Sequence, residues 1–189
     1  MLVALVFASS MGIGAQDSAP STSRECEVLR AVLIANWPLE PPGTNSLFYL
    51  DPQTRERPIF LEGDHAAGDE ITERVVDAQF VTHVFSSLDI EVAAGLVPYF
   101  AERPSREISC TFEGLRVTPA SSSLLDSLHR QDALQYPRIS LSQPVFSRDG
   151  RFAIGGYAWS FVPYAWAQGD CLLERVEGDW QIVECMRFP

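Results

Sequence analysis

The densest group of potential ligands in the sequence is one polar stretch that contains Asp64, His65, Asp69 and Glu70. Three carboxylates and one imidazole form an oxygen-rich set of donors, and such sets suit calcium or magnesium. Their spacing does not match an EF-hand loop. Acidic side chains before a helix also stabilise its positive N-terminal end without any ion. We therefore favour a solvated acidic loop that leads into a helix, and a metal site at these four residues is the alternative.

Residues that serve acid–base or nucleophilic catalysis are present without a recognisable arrangement. His83 lies among apolar residues and is expected to be buried or half-buried, whereas His129 is expected to be exposed. Serines such as Ser142 could join a histidine and an aspartate, but a catalytic triad is defined by geometry and not by composition. The sequence contains no GxSxG, HExxH or P-loop motif. It therefore assigns no catalytic residue and no cofactor.

A stripe of aromatic residues near the end of the chain is the best candidate for a binding surface. Tyr157, Trp159 and Phe161 recur at period two, which is typical of one face of a buried strand. The stripe continues past a proline to Tyr164 and Trp166, where burial is less assured. Exposed aromatic rings stack on sugars or anchor partner proteins. Core packing is the more common role of such a stripe, and binding through Trp159, Tyr164 and Trp166 is the functional alternative.

Helical patterns occupy most of the first two-thirds of the chain. Thr22 and Glu25 form a capping-box pattern, and apolar residues at helical spacing continue to Trp37, where Pro38 ends the helix. Further helices are expected at about 70–88, 90–103 and 121–134. Pro98 should kink or break the second of these helices. Short extended segments are expected at 47–50, 59–61, 108–112 and 115–117.

The chain from Ile139 onward alternates strand and turn, which predicts an antiparallel β-meander. One strand changes its alternation, because Phe152 and Ile154 fall on even positions and the aromatic stripe falls on odd positions. A period of two sends these sets to opposite faces of a sheet. We therefore predict a β-bulge at Gly155-Gly156 that returns both sets to one face. The expected fold class is α+β, with helices packed on a curved antiparallel sheet.

The run QPVFSRDGRFAIGGYAW, followed by LLERVEGDWQIV, resembles the closing meander of many uncharacterised secreted bacterial proteins. It is also similar to the last hairpin of NTF2-like domains, in which a strand, a glycine turn and a tryptophan-bearing strand close a curved sheet. NTF2-like domains include enzymes, binding modules and oligomerisation units, so the resemblance implies an architecture and not a function. The several helices in the middle of the chain depart from the compact NTF2-like order.

The cysteines favour two disulfides, because they are even in number and form no CxxC pair: Cys26, Cys110, Cys171 and Cys185. Three pairings are open. A two-residue loop at Glu177-Gly178 would set Cys171 opposite Glu184, whereas a loop one residue longer would set it opposite Cys185. The glycine favours the first register and the disulfide chemistry favours the second. Cys171–Cys185 with Cys26–Cys110 is therefore one of the open pairings.

The first 15 residues, MLVALVFASSMGIGA, contain no ionisable side chain and run from an apolar stretch into small residues. Such a segment is too short to span a bilayer and is typical of a secretory leader. A buried N-terminal strand or helix is the alternative. We expect a leader over residues 1–15, a mobile tether over 16–23 and a single domain over 24–189, in a secreted or periplasmic protein.

The composition limits the possible partners. Hydrophobic residues make up 46% of the chain and charged residues 21%, which are ordinary values for a globular protein. The net charge of −11 disfavours binding to nucleic acid or to anionic membrane surfaces. No second apolar stretch is long enough to insert the mature chain into a membrane. We expect a non-enzymatic module that binds a small molecule or a protein. A small secreted hydrolase, metal-assisted through the acidic loop, is the alternative.

Overall fold

The computed structural model describes residues 23–36, 47–55, 76–101, 103–132, 137–162 and 165–188. Its helices are α1 (Ser23–Ala35), α2 (Ala78–Val84), α3 (Ile90–Leu96) and α4 (Ser122–Asp132), and a 3₁₀ turn, Val97–Phe100, follows α3. Its strands are β1 (Phe48–Leu50), β2 (Val117–Pro119), β3 (Arg138–Leu141), β4 (Val145–Phe146), β5 (Phe152–Val162), β6 (Ala165–Val176) and β7 (Asp179–Phe188). The fold class is α+β, as predicted.

The described strands form one seven-stranded sheet in the order β2-β1-β3-β5-β6-β7, and β4 also pairs with β5. Strands β5, β6 and β7 are the predicted antiparallel meander. The sheet as a whole is mixed, because β1 runs parallel to both β2 and β3. Parallel neighbours need long crossover connections, and the connection from β1 to β2 contains α2 and α3. The helices therefore interrupt the sheet in sequence and pack on it in space.

Both faces of the central strand β5 are buried, which corrects the bulge predicted at Gly155-Gly156. The register between β5 and β6 runs through these glycines without a shift, and a shift occurs instead between Ser160 and Val162. Tyr157 belongs to the core cluster that α1 completes, and Ile154 belongs to the cluster that α2 and α3 complete. The predicted bulge is wrong because helices cover both faces, so each set of apolar residues has its own core.

Helix α1 confirms the first predicted helix and covers one face of the meander. Its buried residues are Val28, Leu29, Val32 and Leu33. Gly155 on β5 faces this helix, since a Cβ atom there would lie in ordinary contact, 3.4 Å, with methyl groups of Val28 and Val32. The disulfide Cys26–Cys110 ties the first turn of α1 to the segment that precedes β2.

Helices α2 and α3 cover the opposite face. The Asp77 carboxylate accepts a hydrogen bond of 2.9 Å from the backbone N–H of Phe80 and thereby caps α2. Val76 and Asp77 are not helical, so α2 is shorter than the helix predicted from about residue 70, and residues 70–75 lie outside the described residues. Helix α3 ends at Leu96 and Pro98 lies in the following 3₁₀ turn, which confirms the predicted break.

Several predictions fall outside the residues that the structure describes. These are the leader over residues 1–15, the tether as far as residue 22 and the strand at 59–61. Ser23, the last residue assigned to the tether, is the first residue of α1. None of the described helices has the length and apolar character needed to cross a membrane.

Candidate functional site

The last hairpin has the two-residue loop that its glycine predicts. Glu177 and Gly178 both have positive φ, 54° and 101°, which is the sign that a type I′ turn requires. The register then runs from this turn to Leu173 opposite Ile182. The turn therefore sets the pairing in the first half of the hairpin.

One extra residue in β7 changes the pairing in the second half of the hairpin. Leu172 pairs with Glu184, so Val183 is the inserted residue of a β-bulge. This shift places Cys171 opposite Cys185. The two-residue loop and the pairing of Cys171 with Cys185 therefore occur in the same hairpin. From the sequence, the loop and the disulfide favour different registers, and the bulge reconciles them.

All four cysteines are paired, which confirms the prediction of two disulfides. Cys171 is joined to Cys185 and Cys26 to Cys110. Asn36, which follows α1, places its side-chain nitrogen 3.2 Å from the Cys171 sulfur and so links the end of α1 to the β6–β7 disulfide. Two disulfides indicate an oxidising environment, extracellular or periplasmic.

Strand β7 ends the described sheet, because no described strand pairs with its outer side. In an antiparallel pair, hydrogen-bonded residues alternate with residues whose N–H and C=O groups point away from the partner strand. The pair that flanks a two-residue loop is hydrogen-bonded, so Trp180 and Ile182 point their backbone groups outward. The Cα atoms of Cys171 and Cys185 are 4.1 Å apart, which is the short spacing of a non-hydrogen-bonded pair. Cys185 therefore also points its backbone groups outward.

A groove of about 520 Å³ lies between α1 and β7, and we call it the α1–β7 groove. Its helix wall contains Ala31 and Ala35, which lie one turn apart on the same face of α1. Their small side chains leave the space open, and Ile34 beside them is 48% exposed. The strand wall contains Trp180 and Ile182. The walls are thus mostly apolar, and the groove lies against β7, the last strand of the described sheet.

Charged residues form the rim of the α1–β7 groove: Glu27, Arg30 and Asp179. The Arg30 guanidinium donates a hydrogen bond of 3.1 Å to the backbone carbonyl of Glu113. The carboxylate groups of Glu27 and Asp179 make no hydrogen bond or ion pair with the residues that the structure describes. The rim therefore carries two carboxylates without a cationic partner in the described chain, and one arginine that is partly engaged.

Trp180 is held in place by its neighbours. Its ring is tilted against Phe146, with 5.7 Å between the ring centroids. The guanidinium groups of Arg24 and Arg175 lie 5.5 Å and 5.9 Å from the centre of the Trp180 ring. Arg24 is itself fixed by a hydrogen bond to the Gly150 carbonyl. The strand wall of the α1–β7 groove is therefore preformed.

A second group of polar residues, which we call the Tyr99 cluster, lies on the opposite face of the sheet. The Tyr99 hydroxyl donates a hydrogen bond of 2.5 Å to the Asp170 carboxylate, and the Ser142 hydroxyl lies beside them over Gly156. Burial raises the pKa of Tyr99 well above its usual range, and the Asp170 carboxylate raises it further. The hydroxyl therefore keeps its proton. Tyr99, Asp170 and Ser142 are each at most 1% exposed, so this cluster belongs to the core and offers no surface to a substrate.

The aromatic residues predicted to bind a ligand are only partly described. Trp159 is 2% exposed and packs edge-to-face against Phe48, with 5.3 Å between the ring centroids. Its ring is part of the core and does not reach the surface. Tyr164 and the side chain of Trp166 lie outside the described residues, so their binding role stays a prediction.

The predicted metal ligands, Asp64, His65, Asp69 and Glu70, also lie outside the described residues. Elsewhere, in the part of the chain that the structure describes, no group of three or more His, Cys, Asp or Glu side chains is placed to hold a metal ion. His83 is exposed in the last turn of α2, so the prediction that it is buried or half-buried is wrong. The helix instead buries the neighbouring residues Val81 and Val84.

Comparison of the chain with protein-family models, with curated proteins and with solved structures found no match. The resemblance to NTF2-like domains therefore stays an expectation. The α1–β7 groove was not predicted from the sequence. The sequence does contain one indication of its strand wall, because Trp180 and Ile182 follow the Glu177-Gly178 turn at period two. This alternation does not show which strand ends the sheet.

Proposed function

We propose that this protein is an exported, non-enzymatic interaction module that binds an extended polypeptide segment along β7. The observation that carries the proposal is the outer edge of β7, which lies beside the α1–β7 groove. Trp180 and Ile182 contribute to both features, since their backbone groups point outward and they line the groove. A segment added to the sheet would gain main-chain hydrogen bonds and would bury alternate side chains in the groove.

The geometry suits a short segment. The residues Asp179–Ile182 precede the bulge, and at about 3.4 Å per residue they extend for about 14 Å. Within them, Trp180 and Ile182 each offer one N–H and one C=O group to an added strand. The apolar side chains of such a strand would cover Ile34, which is otherwise 48% exposed.

Two further features support the proposal. The preformed position of Trp180 lowers the ordering cost that binding would otherwise carry. The two disulfides suit an oxidising compartment, which agrees with the expected secretory leader over residues 1–15. Export of the chain through that leader is part of the proposal.

A displayed library of random ten-residue peptides, selected on the purified full chain, tests the proposal. We expect enrichment of extended peptides with alternating apolar residues. Addition of an enriched peptide should slow hydrogen exchange at the backbone N–H groups of Trp180 and Ile182, measured by NMR, because these groups become bonded to the peptide. Failure to enrich any peptide, or unchanged exchange at these two groups, would contradict the proposal.

A matched pair of variants separates the groove from general surface effects. Ile34 and Leu124 are both exposed aliphatic residues on helices, 48% and 45% exposed. Ile34→Asp puts a charge in the α1–β7 groove and should weaken peptide binding at least about tenfold, which corresponds to about 1.4 kcal/mol. Leu124→Asp, on α4, should leave the Kd unchanged. Equal effects of the two substitutions on the Kd, measured by fluorescence anisotropy, would place the binding site elsewhere.

A further inference from the structure

The rim of the α1–β7 groove indicates which kind of segment binds there, an inference that rests on the proposed function. The rim carries two carboxylates, Glu27 on α1 and Asp179 at the start of β7. Neither has a hydrogen bond or ion pair with the described residues. The net charge of the protein is −11, so its overall field attracts cations toward its surface.

Arg30 does not cancel this preference. It is the arginine that lines the α1–β7 groove, and its guanidinium donates to the Glu113 carbonyl at 3.1 Å. Arg175 beside the groove is also engaged, because its guanidinium donates to the Gly178 carbonyl at 3.1 Å and lies 5.9 Å from the centre of the Trp180 ring. An acidic segment would therefore meet two carboxylates and guanidinium groups that already have partners in the chain. Like charges across an interface disfavour binding, and opposite charges favour it.

We infer that the segment bound in the α1–β7 groove is basic, with arginine or lysine at the rim and an apolar residue over Ile34 and Ile182. In an extended chain, residues two apart point to the same side. The segment should therefore carry its basic residue two positions, or a small even number of positions, from its apolar anchor. This pattern separates the expected partner from a purely apolar strand, which would gain nothing from the rim.

Three synthetic versions of one enriched ten-residue peptide test this inference. They differ only at the rim position, which carries Lys, Gln or Glu, and their Kd values for the full chain are measured by fluorescence anisotropy at low and high salt. We expect the Lys peptide to bind about threefold more tightly than the Gln peptide and about tenfold more tightly than the Glu peptide at low salt. High salt should shrink both ratios, because exposed charges are screened.

The double variant Glu27→Gln with Asp179→Asn is the matched control, because it removes both rim charges and keeps the apolar walls. It should bind the three peptides with similar Kd values. If the Lys and Gln peptides bind the unaltered protein equally well, the preference for a basic segment is refuted while peptide binding stands. If no ten-residue peptide is enriched at all, the proposed function fails, and this inference fails with it.

Discussion

Replacing Gly156 by alanine tests whether the Tyr99 cluster is rigid. A Cβ atom at this position would lie 2.7 Å from the Tyr99 hydroxyl, 2.8 Å from the Ser142 hydroxyl, and closer still to the Asp170 carboxylate. The strand cannot move away easily, because Gly156 is paired with Asp170 on β6 and its carbonyl accepts a hydrogen bond of 3.0 Å from the Ser142 N–H. The polar side chains must therefore separate to admit the methyl group.

The expected loss of stability follows from two costs. Forcing a methyl group into a packed core costs about 1–3 kcal/mol. Displacing the Tyr99 hydroxyl from the Asp170 side chain breaks a buried hydrogen bond, and the groups left unsatisfied cost about 1–3 kcal/mol. We expect Gly156→Ala to lower the free energy of unfolding by about 3–5 kcal/mol, a large part of the total stability of an ordinary domain.

Urea unfolding followed by circular dichroism measures this loss, and the neighbouring glycine supplies the control. At Gly155 a Cβ atom would meet methyl groups of Val28 and Val32 at 3.4 Å, which is an ordinary contact. Alanine also reduces the entropy of the unfolded chain, so Gly155→Ala should change the free energy of unfolding by less than about 1 kcal/mol. Equal urea midpoints for the two variants would refute the claim that the Tyr99 cluster is rigid.

A double variant tests the cause of the loss. If the methyl group acts by displacing the Tyr99 hydroxyl, then Gly156→Ala combined with Tyr99→Phe should cost less than the sum of the two single variants. Strictly additive losses would show that the methyl group acts on the backbone or on Ser142 instead.

Two further predictions concern stability. The folded chain holds the pKa of Tyr99 well above its usual range, so the contribution of this residue to the free energy of unfolding should be fully present below pH about 10 and fall above it by about 1.4 kcal/mol per pH unit. Tyr99→Phe should remove that part of the decrease at alkaline pH, measured by urea unfolding at several pH values. An unchanged decrease in the variant would contradict the assignment. A disulfide that closes a longer loop restricts the unfolded chain more. Removing Cys26–Cys110, which spans 84 residues, should therefore lower the free energy of unfolding by about 4.5 kcal/mol, and removing Cys171–Cys185, which spans 14, by about 3 kcal/mol. Urea midpoints of the two double Cys→Ala variants test this order, and the reverse order would contradict the loop-length argument.

The alternation of residues predicted the strands of the meander but not their surroundings. In FAIGGYAWSFV, apolar residues occupy both even and odd positions, which is the pattern of a strand buried on both faces. The assumption of a single core led to the bulge predicted at Gly155-Gly156. Ile154 and Tyr157 in fact face different helices, and the packing of those helices on opposite faces is a tertiary property that local spacing does not contain.

The candidate site shows the same limit more clearly. The glycine at Gly178 predicts a two-residue turn, and the even number of cysteines predicts two disulfides. The structure contains both. Their combination required an inserted residue at Val183, which neither signal indicates alone. The α1–β7 groove depends further on α1 lying beside β7, two elements separated by most of the chain. Strand order and helix placement of this kind cannot be derived from periodicity.

The bulge at Val183 also bears on how selective the edge of β7 is. A long, regular edge strand pairs with any extended chain and promotes aggregation. A bulge bends the strand and increases its twist, so only Asp179–Ile182 continue the regular edge beside the α1–β7 groove before the bend. A segment that pairs there gains few main-chain hydrogen bonds, and its affinity must depend on the side chains that fill the groove and meet the rim. Under the proposed function, the insertion that allows Cys171 to reach Cys185 would also limit β7 to short segments chosen by their side chains.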